Sequence, residues 1–216
     1  GVFPDMIHRS VPGYATLIHQ IGVLAGRHAT AGTTLYDLGC SLGAAALAMR
    51  NRLAGVACRV VAVDSSEAMI ERARDYLAGP PPEAPPLLLR CADLREVEIR
   101  DASMVVLNLT LQFLPPEERL EVLRRCRRGM VEGGCLVLTE KVALEGEEGL
   151  LEELHLHFKR AQGYSELEVA RKRAALERVL VPESLQTHQR RLEEAGFRRV
   201  VCWVRCYNFV SLLALP

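Results

Sequence analysis

Behind Pro12-Gly13, apolar residues recur at spacings of three and four through Tyr14, Leu17, Ile18, Ile21 and Leu24, which predicts an amphipathic helix with one buried face. The pattern then changes to short apolar runs alternating with helical periods. Residues 34–38 read as a strand, 44–53 as a helix and 58–63 as a second strand, and Ser66-Glu67 opens a helix through Met69, Ile70 and Ala73. Residues 87–90 and 103–107 predict two further strands. Pro115-Pro116 starts a helix with Leu120, Leu123 and Cys126 on one face, Glu132-Gly133-Gly134 breaks it, and 135–139 reads as a fifth strand. From 149 to 181 the period is helical, the composition heavily charged and the length more than one crossover needs, so this segment is read as an insertion. A helix over 182–195, capped by Gly196, precedes two closing strands over 198–206 and 207–215. The proline run over 79–86 is a stiff connector. The sum is one α/β domain: a seven-stranded, mostly parallel sheet with one antiparallel strand, helices on both faces and a helical insertion at about 149–181.

The segment Tyr36-Asp37-Leu38-Gly39-Cys40-Ser41-Leu42-Gly43 carries the first chemical information, because a buried strand passes through a small-residue loop into a helix. The spacing Gly39-x-Ser41-x-Gly43 lacks the third glycine of a dinucleotide fingerprint. Asp37 at the strand's carboxyl end repels a pyrophosphate but accepts hydrogen bonds from an ammonium, directly or through water. Asp64, at the end of the second strand, stands where an acid reaches ribose hydroxyls. A cationic adenosine cofactor, S-adenosylmethionine (SAM), satisfies both.

Composition narrows the setting. The 216 residues suit one full core. Their 27 basic and 27 acidic side chains cancel, so no overall field draws the chain to nucleic acid, and tight direct tRNA binding is not expected. Seven scattered cysteines, mostly in apolar runs, fit reduced core thiols of a cytoplasmic protein. Cys202 and Cys206 are too far apart on a strand to bridge, and His155 and His157 point apart on a helix, so no metal is expected. No run is long enough to span a membrane. The chain does not begin with Met, which suggests a preceding segment that bears on the site if it covers it.

In such a sheet a ligand lies over the carboxyl ends of the strands. Gly39, Cys40 and Ser41 offer backbone groups to the amino-acid end of the cofactor, Asp64 and Ser65 suit the ribose, Asp93 and Leu94 flank the adenine, and Asn108 ends the fourth strand. The sequence after Asn108, Leu109-Thr110-Leu111-Gln112-Phe113, lacks the proline-rich clamp of amino-methylating enzymes. Lys141, Lys159 and Arg160 are candidate anion partners that the sequence does not rank.

Several segments resemble one family. Val2-Phe3-Pro4-Asp5-Met6-Ile7, Arg9-Ser10-Val11-Pro12-Gly13-Tyr14, the glycine loop, Ala102-Ser103-Met104-Val105-Val106-Leu107-Asn108, Thr110-Leu111-Gln112-Phe113-Leu114 and Gly163-Tyr164-Ser165-Glu166-Leu167-Glu168 are similar to the carboxy-S-adenosyl-L-methionine (carboxy-SAM) synthases. The resemblance implies a class I SAM-dependent methyltransferase-like fold that transfers no methyl group. It implies conversion of SAM and prephenate to carboxy-SAM and phenylpyruvate. The product is then used by a downstream tRNA carboxymethyltransferase to make 5-oxyacetic acid uridine at the wobble position. It implies a homodimer, with the insertion as a source of the interface. Cofactor positions carry over onto Tyr14, Gly39, Cys40, Ser41, Asp64, Ser65, Asp93, Leu94, Asn108 and Arg173, with Ser65 and Leu94 departing from the family's Asn and Ile.

Within that reading Arg173 and Tyr14 are the expected catalytic pair. A sulfonium acidifies its methyl group, carbon dioxide released from prephenate can carboxylate it, and the hydroxide leaving prephenate can take the proton, so no protein base is required. A planar guanidinium then matches the new carboxylate with two parallel hydrogen bonds, and Tyr14 supplies a second donor. An ordinary SAM-dependent methyltransferase, a non-catalytic SAM-binding partner and a nicotinamide oxidoreductase share parts of the pattern. Accumulating S-adenosylhomocysteine would mark the first, and ligand retention without turnover the second. The incomplete glycine pattern weighs against the third.

Overall fold

The computed structural model describes residues 2–79, 83–144, 146, 148–169 and 179–216. Its elements run α1 (Val2–Ser10), α2 (Tyr14–His28), β1 (Thr34–Leu38), α3 (Ala44–Arg50), β2 (Arg59–Asp64), α4 (Glu67–Tyr76), β3 (Leu87–Cys91) and β4 (Ala102–Asn108). A 3₁₀ turn at Leu111–Phe113 follows, then α5 (Pro116–Arg128), β5 (Met130–Lys141), α6 (Glu148–Ala161), α7 (Leu185–Glu194), β6 (Arg199–Cys206) and β7 (Phe209–Leu215).

The strands form one sheet in the order β3-β2-β1-β4-β5-β7-β6, parallel throughout except that β7 runs antiparallel to both β5 and β6. Central strands are apolar on both faces because helices cover both. Successive residues alternate between the two layers. Tyr36, Leu38, Val105 and Leu107 join Val122, Leu123 and Cys126 of α5 and Leu192 of α7 on one face. Leu35, Val60, Ala62, Met104 and Val106 join Leu17 and Ile21 of α2, Met49 of α3 and Ile70 of α4 on the other. Each fully buried aliphatic side chain contributes about 1.5–3 kcal/mol, so these two layers dominate stability.

The boundaries differ from the sequence pattern in ways with local causes. The Gly133-Gly134 break lies inside β5, where pairing with β4 jumps from Ala102↔Met130 to Met104↔Cys135 and the extra residues bulge out. The helix expected over 182–195 starts only at Leu185, because the Ser184 side chain accepts a hydrogen bond from the Thr187 amide (3.2 Å) and caps it there. Helix α1 has no counterpart among the predicted elements. Within the 149–181 insertion α6 is helical as expected, while 170–178, and with them Arg173, lie outside the described residues.

All seven cysteines are free; Cys40, Cys58, Cys126 and Cys135 are buried, and Cys91 alone is exposed. Burial pushes the Cys126 and Cys135 thiols up to about 12. A thiol reagent applied to the native protein at pH 8 should therefore react rapidly with a single equivalent that Cys91→Ser removes. Several fast equivalents would contradict this burial pattern.

Candidate functional site

The carboxyl ends of β1 to β5 open into a cavity of about 720 Å³, roofed by α1, the start of α2 and one face of α6. Tyr14, Gly39, Cys40, Ser41, Asp64, Ser65, Asp93, Leu94 and Asn108 all line it, so the fold brings together all the predicted site residues that are among the described ones.

The amides of the glycine loop are bonded within the protein. The amides of Gly39 and Cys40 both donate to the Val63 carbonyl (2.8 Å each), and that of Ser41 donates to Asp64 Oδ2 (2.8 Å). These three N–H groups are consumed inside the protein, so at these positions the loop turns acceptors, not donors, toward the cavity. Packing requires both glycines. Gly39 (φ 77°) and Gly43 (φ 82°) are left-handed, and a Cβ would stand 2.3 Å from Thr110 Cγ2 at the first and 2.6 Å from Leu77 Cδ1 at the second.

Asp37, 2% exposed, accepts the Ala46 amide on Oδ2 (2.9 Å) and so places its own carboxylate at the N-terminus of α3, where a phosphate would otherwise sit. Burial, opposed by that hydrogen bond and reinforced by the charge of Asp64, pushes its carboxyl up to about 7. Asp64 uses both oxygens within the protein, Oδ2 for Ser41 and Oδ1 for the Ser66 amide (2.9 Å), while each keeps a lone pair for a hydroxyl. Asp93 is not an open carboxylate. Arg95 grips it (Nη2 to Oδ2, 2.6 Å) and also holds Glu118 (2.6 Å), and the Arg95 contact keeps the Asp93 carboxyl below its usual range.

Tyr14 is buried directly after Gly13, its ring edge-on to His8 at 5.1 Å. Burial raises its phenol, with the charges of Asp37 and Tyr76 adding to the rise and a hydrogen bond from Asn108 opposing it. The Asn108 Oδ1 has no protein partner although it is buried, an acceptor that a ligand donor would satisfy. Ser41 (φ 52°) and Leu109 (φ 59°), both on the cavity wall, are non-glycine residues in left-handed conformation, a strain found where surrounding structure holds a site in place.

The far wall was only partly legible. The 3₁₀ turn carrying Gln112 and Phe113 is tied to β5 by Glu140, fully buried, which accepts the Leu111 (2.9 Å) and Gln112 (3.0 Å) amides. Burial lifts the Glu140 carboxyl to about 8 against those bonds and the nearby Arg119 charge. His155 lines the cavity with Nε2 2.8 Å from the Ser10 carbonyl, and burial lowers its pKa to about 4, so it is a neutral donor clamping α1 to α6. Met6, Ile7 and Ser10 reach the cavity from α1, which only their periodicity on a helix could have indicated. Among the described residues no group of His, Cys, Asp or Glu is placed to hold a metal, and no helix is long and apolar enough to cross a membrane.

A sheet of this order, with β7 alone reversed and a ligand cavity over a glycine loop at its β1 end, defines the class I SAM-dependent methyltransferase fold. A family described as "Methyltransferase domain" matches residues 35–134. Human N-acetylserotonin methyltransferase, solved in complex with SAM, superposes with a TM-score of 0.59 at 17% identity, over 90% of this chain but only 51% of that one, a likeness of fold alone. Two curated relatives are far nearer. The carboxy-S-adenosyl-L-methionine synthase of Geobacter metallireducens is 53% identical over 99% of this chain and 88% of its own length, and that of Pseudomonas putida KT2440 is 53% identical over 100% and 89%. The chain belongs to the carboxy-S-adenosyl-L-methionine synthase family of enzymes.

Proposed function

We propose that this enzyme converts SAM and prephenate to carboxy-SAM and phenylpyruvate, and that its product feeds a tRNA carboxymethyltransferase acting on the wobble uridine. The observation that carries the cofactor half of this reading is the glycine loop. With its Gly39, Cys40 and Ser41 amides consumed and Asp37 set before α3, it suits a cationic amino-acid group and opposes a phosphate. The remaining lining fits the rest of SAM: Asp64 and Ser65 for ribose hydroxyls, Ala92 and Leu94 as an apolar wall for adenine, and the unpartnered Asn108 Oδ1 as an acceptor.

Bound SAM supplies a methyl group acidified by its sulfonium; prephenate, in becoming aromatic, supplies carbon dioxide for the new C–C bond and a hydroxide that leaves with the methyl proton as water. The protein's tasks are then to hold both molecules, exclude bulk water and neutralise the new carboxylate, without a base of its own. The neutral, hydrogen-bonded His155 agrees with that division of labour. Tyr14 is buried in the cavity as a hydroxyl donor, and Arg173, on the charged insertion, is proposed as its partner on the carboxylate. Replacing Arg173 by Leu should weaken carboxy-SAM binding by about 2–5 kcal/mol while leaving SAM affinity nearly unchanged, as read by calorimetry. Equal affinity of variant and wild type for carboxy-SAM would remove Arg173 from this role.

We also propose a homodimer. Leu150 and Leu154, one turn apart on α6, and Leu167 beyond it are exposed, an apolar strip on the insertion that a second copy would cover.

The decisive test is accurate mass of the small molecule released from the purified protein, followed by turnover with prephenate. A mass about 44 above SAM, and phenylpyruvate formed in step with carboxy-SAM, are the expected results. S-adenosylhomocysteine accumulating with a methylated acceptor would select an ordinary methyltransferase instead.

A further inference from the structure

The 3₁₀ turn after β4 holds one side chain that is fixed on every side but one. Gln112 is 4% exposed and lines the cavity. Its backbone amide donates to Glu140 Oε2 (3.0 Å), its carbonyl accepts from Arg119 Nη2 (3.1 Å) and the Val181 amide (3.1 Å), and its side-chain Oε1 accepts from the Lys141 amide (3.0 Å). The last of these bonds settles which way the carboxamide faces. A backbone N–H only donates, so the oxygen is turned to β5 and Nε2, with its two hydrogens, is turned away from it. No acceptor among the described residues meets Nε2, and it is not one of the unpartnered polar atoms sealed inside the protein. For a residue this buried, the opening that remains is the cavity.

Buried donors are nearly always bonded, so a rigidly held donor left open on a ligand cavity points to an acceptor on the ligand. The four bonds already made by Gln112 also mean that little freedom is lost when that acceptor arrives. Position decides which ligand it is. The residues matched to SAM stand at the ends of β1, β2 and β3 and, with Asn108, of β4, whereas the Gln112 carboxamide is tied to the end of β5, one strand beyond Asn108 and about 4.8 Å further from the SAM half. The two carboxamides are complementary: Asn108 leaves an acceptor open and Gln112 a donor. An acceptor suits the cationic end of SAM; a donor suits a molecule whose polar atoms are mostly carboxylate and carbonyl oxygens. Phe113, next in the chain, lines the same wall and is 47% exposed, an apolar face beside the donor that fits a cyclic carboxylate.

We propose that Gln112 is a specificity-determining residue for the second substrate, its Nε2 donating to a carboxylate oxygen of prephenate. Glu140, Arg119 and the β5 backbone act through it as positioning groups, because each holds a different atom of the same residue.

This inference rests on the prephenate reading above, and the test separates the two. Wild-type enzyme is first assayed with SAM and prephenate; failure to form phenylpyruvate while SAM is bound would overturn the reaction itself, before any substitution is made. Given turnover, Gln112→Met should raise the KM for prephenate about tenfold or more while kcat and the SAM Kd stay within about threefold, the split expected when a bond present in both ground and transition states is lost. A prephenate KM within about twofold of wild type, or a loss of SAM affinity and kcat in its place, would overturn the assignment, the second outcome marking Gln112 as a support of the turn alone. A second measurement needs no variant. In wild-type enzyme labelled with ¹⁵N-glutamine and saturated with S-adenosylhomocysteine, which has no methyl group to carboxylate, the side-chain amide resonances of Gln112 should shift on addition of prephenate. Resonances that stay in place at saturating prephenate would overturn the proposal too.

Discussion

Replacing Arg119 by Met is expected to destabilise the protein by about 3–5 kcal/mol, a fall in Tm of about 6–20 °C for a chain of this size. Arg119 is completely buried on α5, yet it is a hub rather than part of the core. Its Nε donates to the Leu114 carbonyl (3.0 Å), its Nη2 to those of Gln112 (3.1 Å) and Val181 (2.9 Å), and its Nη1 pairs with Glu183. Methionine fills much of the volume but takes the guanidinium donors from the Leu114, Val181 and Gln112 carbonyls, of which Gln112 alone keeps another donor, the Val181 amide (3.1 Å), and it leaves Glu183 to Arg191 alone (2.5 Å). It also removes a positive charge that opposes the rise of the Glu140 carboxyl, which burial lifts to about 8 beneath the 3₁₀ turn. The cavity wall at Gln112 and the return of the chain from the insertion at Val181 both hang on this guanidinium. Activity measured well below the new Tm should therefore fall as well, whereas a Tm within 2 °C of wild type would show the hub to be dispensable.

How much of this was legible in the sequence depends on the kind of signal. Strands β1, β2 and β4 were readable to within a residue because burial on both faces makes them unbroken apolar runs, and the acids or amides at their ends mark where the backbone leaves the sheet. The same logic located Asp64, Ser65, Asp93, Leu94 and Asn108 at one cavity. What periodicity could not supply was the partner of each polar group. That the Val63 carbonyl and Asp64 take the amides of the glycine loop, and that Arg95, two residues on, folds back over Asp93, only the fold could show. Helix α1 escaped notice because a nine-residue helix yields little periodic signal, and the bulge in β5 because a Gly-Gly pair reads equally as a break between elements. Lys141 and Lys159, separated by 18 positions in sequence, both line the cavity and Arg160 does not, a distinction that periodicity did not draw.

Asp37→Asn is expected to separate stability from binding. In the ligand-free protein the Asp37 carboxyl titrates near 7, against an ordinary value of 3.8, because it is buried beside Asp64. The folded state thus holds a proton that the unfolded chain has released over the window from about pH 4 to about pH 7. Stability consequently falls as pH rises through that window and is level above it. Asparagine keeps an acceptor for the Ala46 amide and carries no charge to desolvate, so the variant should be more stable than wild type at pH 8, by roughly 2–4 kcal/mol, with the advantage vanishing near pH 4. Binding should move the other way. A sulfonium or ammonium in the cavity favours the ionised carboxylate, so wild-type SAM affinity should rise as pH rises through 7, with a proton released on binding below that point. The variant should lose about 1.5–3 kcal/mol, or 10- to 150-fold in SAM affinity at pH 8, and its affinity should no longer vary with pH in this range. Thermal melts at pH 5 and pH 8, with calorimetry in two buffers of different ionisation enthalpy, test both halves. A variant that is less stable at pH 8, or that binds SAM as tightly as wild type, would mean that Asp37 serves the packing of α3 and not the cation. The opposite signs of the two effects matter here, because a residue that merely supported the fold would weaken both together.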